Sequence, residues 1–164
     1  MEDLGAVFIL WLRDLKRYWY DKVRIISSLG QPILFLFVLG TALSPSFQGP
    51  VGVRFTEFIF PGILSMTILF TSIFSAISIV WDREFGFLKE VLVAPVSRWA
   101  IVVGKALGGA SVAMLQGALM LCLAPLVGVR LSLFVILNSL LIMFLIAFAM
   151  TSLGIVIAAR MKEM

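Results

Sequence analysis

Long apolar runs alternate with short charge-bearing segments from one end of this chain to the other. Four of the runs, at 23–43, 57–81, 100–127 and 131–159, reach the roughly 20 helical residues that a bilayer core about 30 Å thick requires. The last exceeds that need, so it is expected to tilt or protrude. Ahead of them, Phe8, Trp11, Leu12, Leu15, Tyr18 and Trp19 recur at helical spacing, and Arg13, Asp14, Lys16, Arg17 and Asp21 fill the opposite arc of the wheel. That pattern predicts an amphipathic helix over 5–22 lying in the membrane interface. Between the second and third runs, Phe85, Leu88, Val91 and Leu92 share one arc while Lys89 and Glu90 lie opposite, which predicts a short amphipathic helix within 82–97. Pro95 cannot continue that helix and biases Ala94 away from the α region. Ser97 is then placed to cap the third span.

Composition agrees with lipid as the main solvent. Hydrophobic residues make up 62% of the 164 and charged residues 13%, with a mean hydropathy of +1.12. Soluble domains are closer to half apolar and a quarter charged, and a core of this size cannot absorb the excess. The fold class is therefore an all-α integral membrane protein with an N-terminal interfacial helix, four transmembrane helices and a helical loop between spans two and three.

Charge placement orients it. Arg13, Lys16, Arg17, Lys22 and Arg24 precede or open the first span; Arg83, Lys89, Arg98 and Lys105 fall in the 82–105 region; Arg160 and Lys162 follow the fourth span. Only Arg54 and Arg130 remain for the opposite side. The positive-inside rule places both termini and the 82–97 loop in the cytoplasm of a multi-pass cell-membrane protein. Trp11, Trp19, Trp81 and Trp99 fall at that same inner boundary, where amphipathic rings anchor. The outer loops are short, which leaves no room for an extracellular receptor or enzyme domain, and no basic face is large enough for nucleic acid. The charged N-terminus, with Glu2 and Asp3 and no small-residue cleavage site, is not expected to be a signal peptide.

Few residues offer chemistry. There is no His, which removes the commonest general base and metal ligand, and neither a metal site nor a cofactor is expected. Cys122 is alone within an apolar run and reads as a small hydrophobe. Gly104-Lys105 has no Gly five positions earlier and no following Ser or Thr, so it cannot cradle phosphates as a P-loop does. The spans hold no ionisable group near their middles, against an ion relay; Arg24, Glu57 and Lys105 lie near enough to the ends to snorkel. An intramembrane Ser–Lys enzyme would have to bring Lys105 to a serine such as Ser111. Thr67, Thr71, Ser75 and Ser78 line one face of the second span, and Gln116 and Asn138 are amides of the third and fourth. They read as interhelical hydrogen-bonding positions or as a weakly polar wall of a substrate path. Gly104-x-x-x-Gly108, followed by Gly109, favours close helix approach.

The stretch from Arg83 to Arg98, REFGFLKEVLVAPVSR, followed by Gly104-Lys105, resembles the cytoplasmic loop of ABC-2 type transporter permeases. Pro61-Gly62 and Gln116-Gly117 are similar to that family too, and the start of the loop resembles a subgroup of multidrug or daunorubicin-resistance-like exporters. Phe87 departs from it, since many members carry Thr or Ser there. The resemblance implies a permease subunit that dimerises, with itself or a related chain, and pairs with cytosolic ATP-binding cassette subunits, so that ATP is hydrolysed by a partner. It implies that the 82–97 loop is the coupling helix, with Glu84, Phe85, Gly86, Leu88, Glu90 and Leu92 forming the surface that docks on the ATPase and the N-terminal helix as a second contact. A lipophilic drug, a lipid or a lipid-linked glycan would suit such spans. Family members usually have about six spans, whereas this chain reaches Met164 just after its fourth. A further pair of spans is expected from a continuation of the chain or from a second chain. The bland alternative is a four-helix scaffold or assembly protein whose loop binds a partner that is not an ATPase.

Overall fold

In the computed structural model, which describes residues 2–46, 53–84, 97–129 and 131–160, every regular element is helical. Helix α1 (Glu2–Tyr20) is separated from the first span by one non-helical residue, Asp21. That span is one rod in three pieces: α2 (Lys22–Leu34), a π-helical turn over Phe35–Leu39, and α3 (Gly40–Leu43). Pro32 supplies no amide hydrogen to the rod, and the wider π turn follows within one helical turn of it; breaks of both kinds bend a helix. The second, third and fourth spans are α4 (Phe55–Glu84), α5 (Arg98–Val127) and α6 (Leu133–Arg160). All four are long and apolar enough to cross a membrane, as the periodicity predicts.

The third span is the centre of the bundle, and its small residues explain why. A side chain at Gly109 would collide with Thr151 of α6 and Ser75 of α4, so α5 approaches both neighbours closely there. Gly154 lets α6 lie directly on Ala76 of α4, where a Cβ would come within 2.1 Å of the alanine methyl. Lipid gives no hydrophobic reward for pairing apolar helices, so association depends on close contact of this kind. Leu36, Phe60, Ile68, Met120 and Met143 fill the space between. The outward faces, including Phe134, Leu141 and Leu153 of α6, are apolar and exposed, as a lipid-facing surface requires. Only 11% of the first span is buried, so it stands at the edge of the bundle.

The two ends of the bundle differ in polarity. At one end Gly128, with φ of 93°, closes α5: its N–H reaches the carbonyl of Pro125 and that of Val129 reaches Ala124. Arg54 ion-pairs with Glu57 at 2.9 Å and donates to the Val127 carbonyl, placing a cation at the negative end of the α5 dipole. At the other end α5 starts at Ser97. The capping role expected of the Ser97 side chain is not what the structure shows. Its hydroxyl makes no bond to the helix and instead donates to Asp3 Oδ1 at 2.6 Å, as does its backbone N–H at 3.0 Å. These bonds hold the Asp3 carboxyl below its ordinary pKa.

Two outcomes follow. Gly154→Val should lower the melting temperature of the detergent-solubilised protein, with about 1–3 kcal/mol of overpacking strain. Gly30→Ala, whose Cβ meets nothing, should not. Because folding depresses the Asp3 pKa, its contribution is complete above the carboxylate value of about 4 and is lost as pH falls through the lowered one. The difference in melting temperature between the wild type and Asp3→Ala should accordingly shrink on acidification below about pH 4.

Candidate functional site

Helix α1 stands against the third span. Its residues meet α5 in ascending order: Asp3 at Ser97, Leu10 at Gly104, Asp14 at Gly108, and Tyr18 at Val112 and Gln116. The two helices therefore run parallel over the first half of α5. The glycine pair at 104 and 108 serves this contact: a Cβ at Gly104 would sit 3.1 Å from that of Leu10, and one at Gly108 would sit 3.0 Å from that of Asp14. Trp11 Nε1 donates to Ser111 Oγ at 2.9 Å, and the buried Tyr18 hydroxyl donates to Gln116 Oε1.

This placement divides the predicted apolar arc. Trp11 and Tyr18 turn inward, whereas Phe8 and Trp19 remain more than half exposed, beside Leu4 and Ile9. Of the charged arc, Arg13 and Asp14 turn inward with the first pair, whereas Lys16, Arg17 and Asp21 stay exposed. Lys105 Nζ, 4% exposed, bonds Asp82 Oδ2 at 2.5 Å and Asp14 Oδ1 at 3.3 Å. Arg13 reaches the same two carboxylates, Asp82 at 2.9 Å and Asp14 at 3.2 Å, and Arg17 reaches Asp82 Oδ1 at 3.2 Å. Three cations and two carboxylates from α1, α4 and α5 thus form one network. Lys105 does not snorkel to solvent, because two carboxylates meet it inside the bundle.

The network has a definite depth. At 1.5 Å per residue, the stretches Glu57–Asp82 and Lys105–Val127 rise about 33–38 Å. A hydrocarbon core of about 30 Å fits between the Arg54–Glu57 layer and the Asp82–Lys105 layer. The charge network lies toward one end of these spans, and α4 continues past it to Glu84. Of the exposed tryptophans, Trp81 adjoins Asp82 and Trp99 lies in the first turn of α5.

The polar residues of the spans separate into two places. Thr67 and Thr71, whose hydroxyls donate to the Ile63 and Thr67 carbonyls, line a lateral groove of about 340 Å³ between the first and second spans. Ser28 and Gln31 are its other polar residues, and Pro32 and Phe35 bring the bent part of the first span to its wall. Ser75 and Ser78 instead line a small crevice beside Asp14, Arg17 and Lys105. Asn138 is half-buried on α6 and lines neither. Gln116 is fully buried, and its Nε2 has no hydrogen-bond partner among the described residues.

Of the docking residues that the resemblance implies, Glu84 closes α4, and Phe85, Gly86, Leu88, Glu90 and Leu92 lie outside the described residues. What the structure adds is the pair of stems that hold that segment. The signal for it was present in the chain: a carboxylate at the end of one span and a lysine well inside the next are each costly unless paired.

Comparison with known proteins agrees with this architecture. The family model of the ABC-2 type transporter matches residues 5–164. The chain is similar to a protein of Cyanophora paradoxa named as a transport permease, ycf38, with 29% identity over 94% of this chain and 55% of that protein. Proteins of the same name from Porphyra purpurea and Pyropia yezoensis are each 27% identical, over 64% and 63% of this chain and 37% of their own lengths. The chain thus spans about half the length of the first of these relatives and less of the others. No solved structure matches it. A helical membrane bundle that carries this family's sequence pattern from residue 5 onward identifies the chain as a member of the ABC-2 type transporter family.

Proposed function

We propose that this chain is the permease subunit of an ATP-binding cassette exporter, with the 82–97 region as its docking site for an ATP-hydrolysing partner. The observation that carries the reading is the pair of stems. The second span ends and the third begins just past a buried charge network that ties the two together, so both stems of the 82–97 region leave the bundle at the same end. Family membership supports a transport role and, since the family normally works with an ATP-binding cassette partner, an ATPase as the occupant of the docking site. The basic residues cluster at the stem end, and the positive-inside rule supports a cytoplasmic position for that end and for both termini.

Within this reading, Phe85, Leu88 and Leu92 fill an apolar groove on the ATPase. Glu84 and Glu90 set register against its basic residues, and Gly86 allows close approach. The exposed apolar face of α1 at Leu4, Phe8 and Ile9 lies at the same end as a second contact. The lateral groove is apolar with a few hydroxyls and one amide, which suits a lipophilic drug, a lipid or a lipid-linked glycan. The exposed first span beside that groove is available for a second permease chain, the same or related.

Co-purification tests the reading. Changing Phe85 and Leu88 together to Ala should reduce recovery of the ATP-hydrolysing subunit at least tenfold, about 1.4 kcal/mol or more of lost interface energy. Permease abundance should not change. Undiminished recovery of the ATPase would contradict the docking site, and a partner with no ATPase activity would favour the scaffold reading.

A further inference from the structure

A second groove, of about 410 Å³, lies between α5 and the junction of α1 with the first span. It shares no residue with the lateral groove between the first and second spans. Two stripes at helical spacing wall it, Tyr18, Lys22 and Ile25 on one side and Leu115, Leu119 and Cys122 on the other. Tyr18 is held in place by its bond to Gln116, whereas Leu115, Leu119 and Cys122 are exposed. Ala118 lies between the leucines and offers only a methyl group, which leaves the floor open.

The groove is polar at one end only. Ile25 opens the apolar stretch of the first span, and Lys22 lies one turn before it. Its ammonium group therefore stands where head groups meet hydrocarbon, beside the exposed Trp19, whose amphipathic ring suits the same level. Lys22 has no ion pair among the described residues. Residues 16–24 carry Lys16, Arg17, Lys22 and Arg24 against one carboxylate, Asp21. Beyond Lys22 the walls are Ile25, Leu119 and Cys122, which offer nothing to a polar ligand. A helix about 10 Å across would cover such a groove rather than enter it. An acyl chain is slender enough to enter.

We propose that this groove binds one anionic phospholipid from the leaflet at the basic end of the bundle. The phosphate meets Lys22 and the Trp19 indole, and one acyl chain lies over Ala118 between Ile25 and the leucines at 115 and 119. The lipid supplies the counter-ion that Lys22 lacks and covers the exposed leucines. Basic pockets between membrane helices hold anionic head groups in this way. The site is independent of the docking reading, since none of its residues belongs to the 82–97 region.

The test titrates the detergent-solubilised full chain with two probes that share their acyl chains, palmitoyl-oleoyl phosphatidylglycerol and palmitoyl-oleoyl phosphatidylcholine. Native mass spectrometry counts the lipid retained, and the alkylation rate of Cys122, the chain's one cysteine, reports on the groove itself. The unaltered chain should retain a single phosphatidylglycerol, preferred over phosphatidylcholine about fivefold, the effect of one lysine near an anionic surface. Its binding should slow the alkylation of Cys122. Lys22→Gln should abolish the preference, whereas Lys16→Gln, exposed outside the groove, should preserve it. Ala118→Phe, which fills the floor, should abolish saturable binding of both lipids. Leu119→Gln should do the same from an exposed position, where the change leaves the bundle core intact. Equal retention of the two lipids, an unchanged preference in Lys22→Gln, or a Cys122 rate indifferent to phosphatidylglycerol overturns the proposal. Disulfide-linked dimers through Cys122 in native membranes would put a second copy over the groove and overturn it as well.

Discussion

The buried contact between Lys105 and Asp82 is the constraint on which the charged end of this molecule depends. A lysine inside a membrane helix is costly when unpaired, and removing one partner of such a pair costs about 3–5 kcal/mol. Asp82 meets the cost from the neighbouring span, and Arg13 and Arg17 in turn surround Asp82. Once these groups must meet, the ends of α4 and α5 are drawn together and α1 has to present Arg13 and Asp14 inward. Its apolar residues Leu4, Phe8 and Ile9 then face outward. The glycines at 104 and 108 complete the arrangement by letting the α1 backbone approach closely enough for Asp14 to reach Lys105.

Away from this cluster the bundle is held by simpler means. Helix α5 carries small residues on several sides and packs against α1, α4 and α6, whereas the first span touches the rest lightly. The result is a close-packed group of three spans beside a peripheral one interrupted by Pro32 and a π turn. A groove with a mostly apolar lining lies where the two meet. Tight packing at the stems and loose packing at the groove arise from unrelated local causes. One is an ion network; the other is a proline and a π turn.

Much of this was legible in the chain because lipid imposes strong rules. Spans follow from apolar run length, and the charged end follows from where Lys and Arg gather. Partner choice was not legible. A helical wheel separates Arg13, Asp14 and Arg17 from Trp11 and Tyr18, but it cannot say which arc faces protein. Hence α1 was expected to lie in the interface with its charges toward water, whereas it stands along α5 with Asp14 and Arg13 inside. The glycines at 104 and 108 announced close approach without naming α1 as the partner. Ser97 carried the composition of a cap, and only the arrival of Asp3 beside it turned its hydroxyl away. Long-range pairings of opposite charge across some 90 residues leave no periodic trace.

The central claim, that α1 stands parallel to the third span in contact with it, is open to direct measurement in native membranes. With Cys122 replaced, cysteines at Leu10 and Gly104 would place their Cβ atoms 3.1 Å apart, within a few tenths of an ångström of the separation a disulfide takes. Oxidation should cross-link that pair rapidly, and a control pair at Ile9 and Gly104, with Ile9 facing outward, should stay reduced. Failure of the Leu10–Gly104 pair to close, or equal closure of both pairs, would contradict the account.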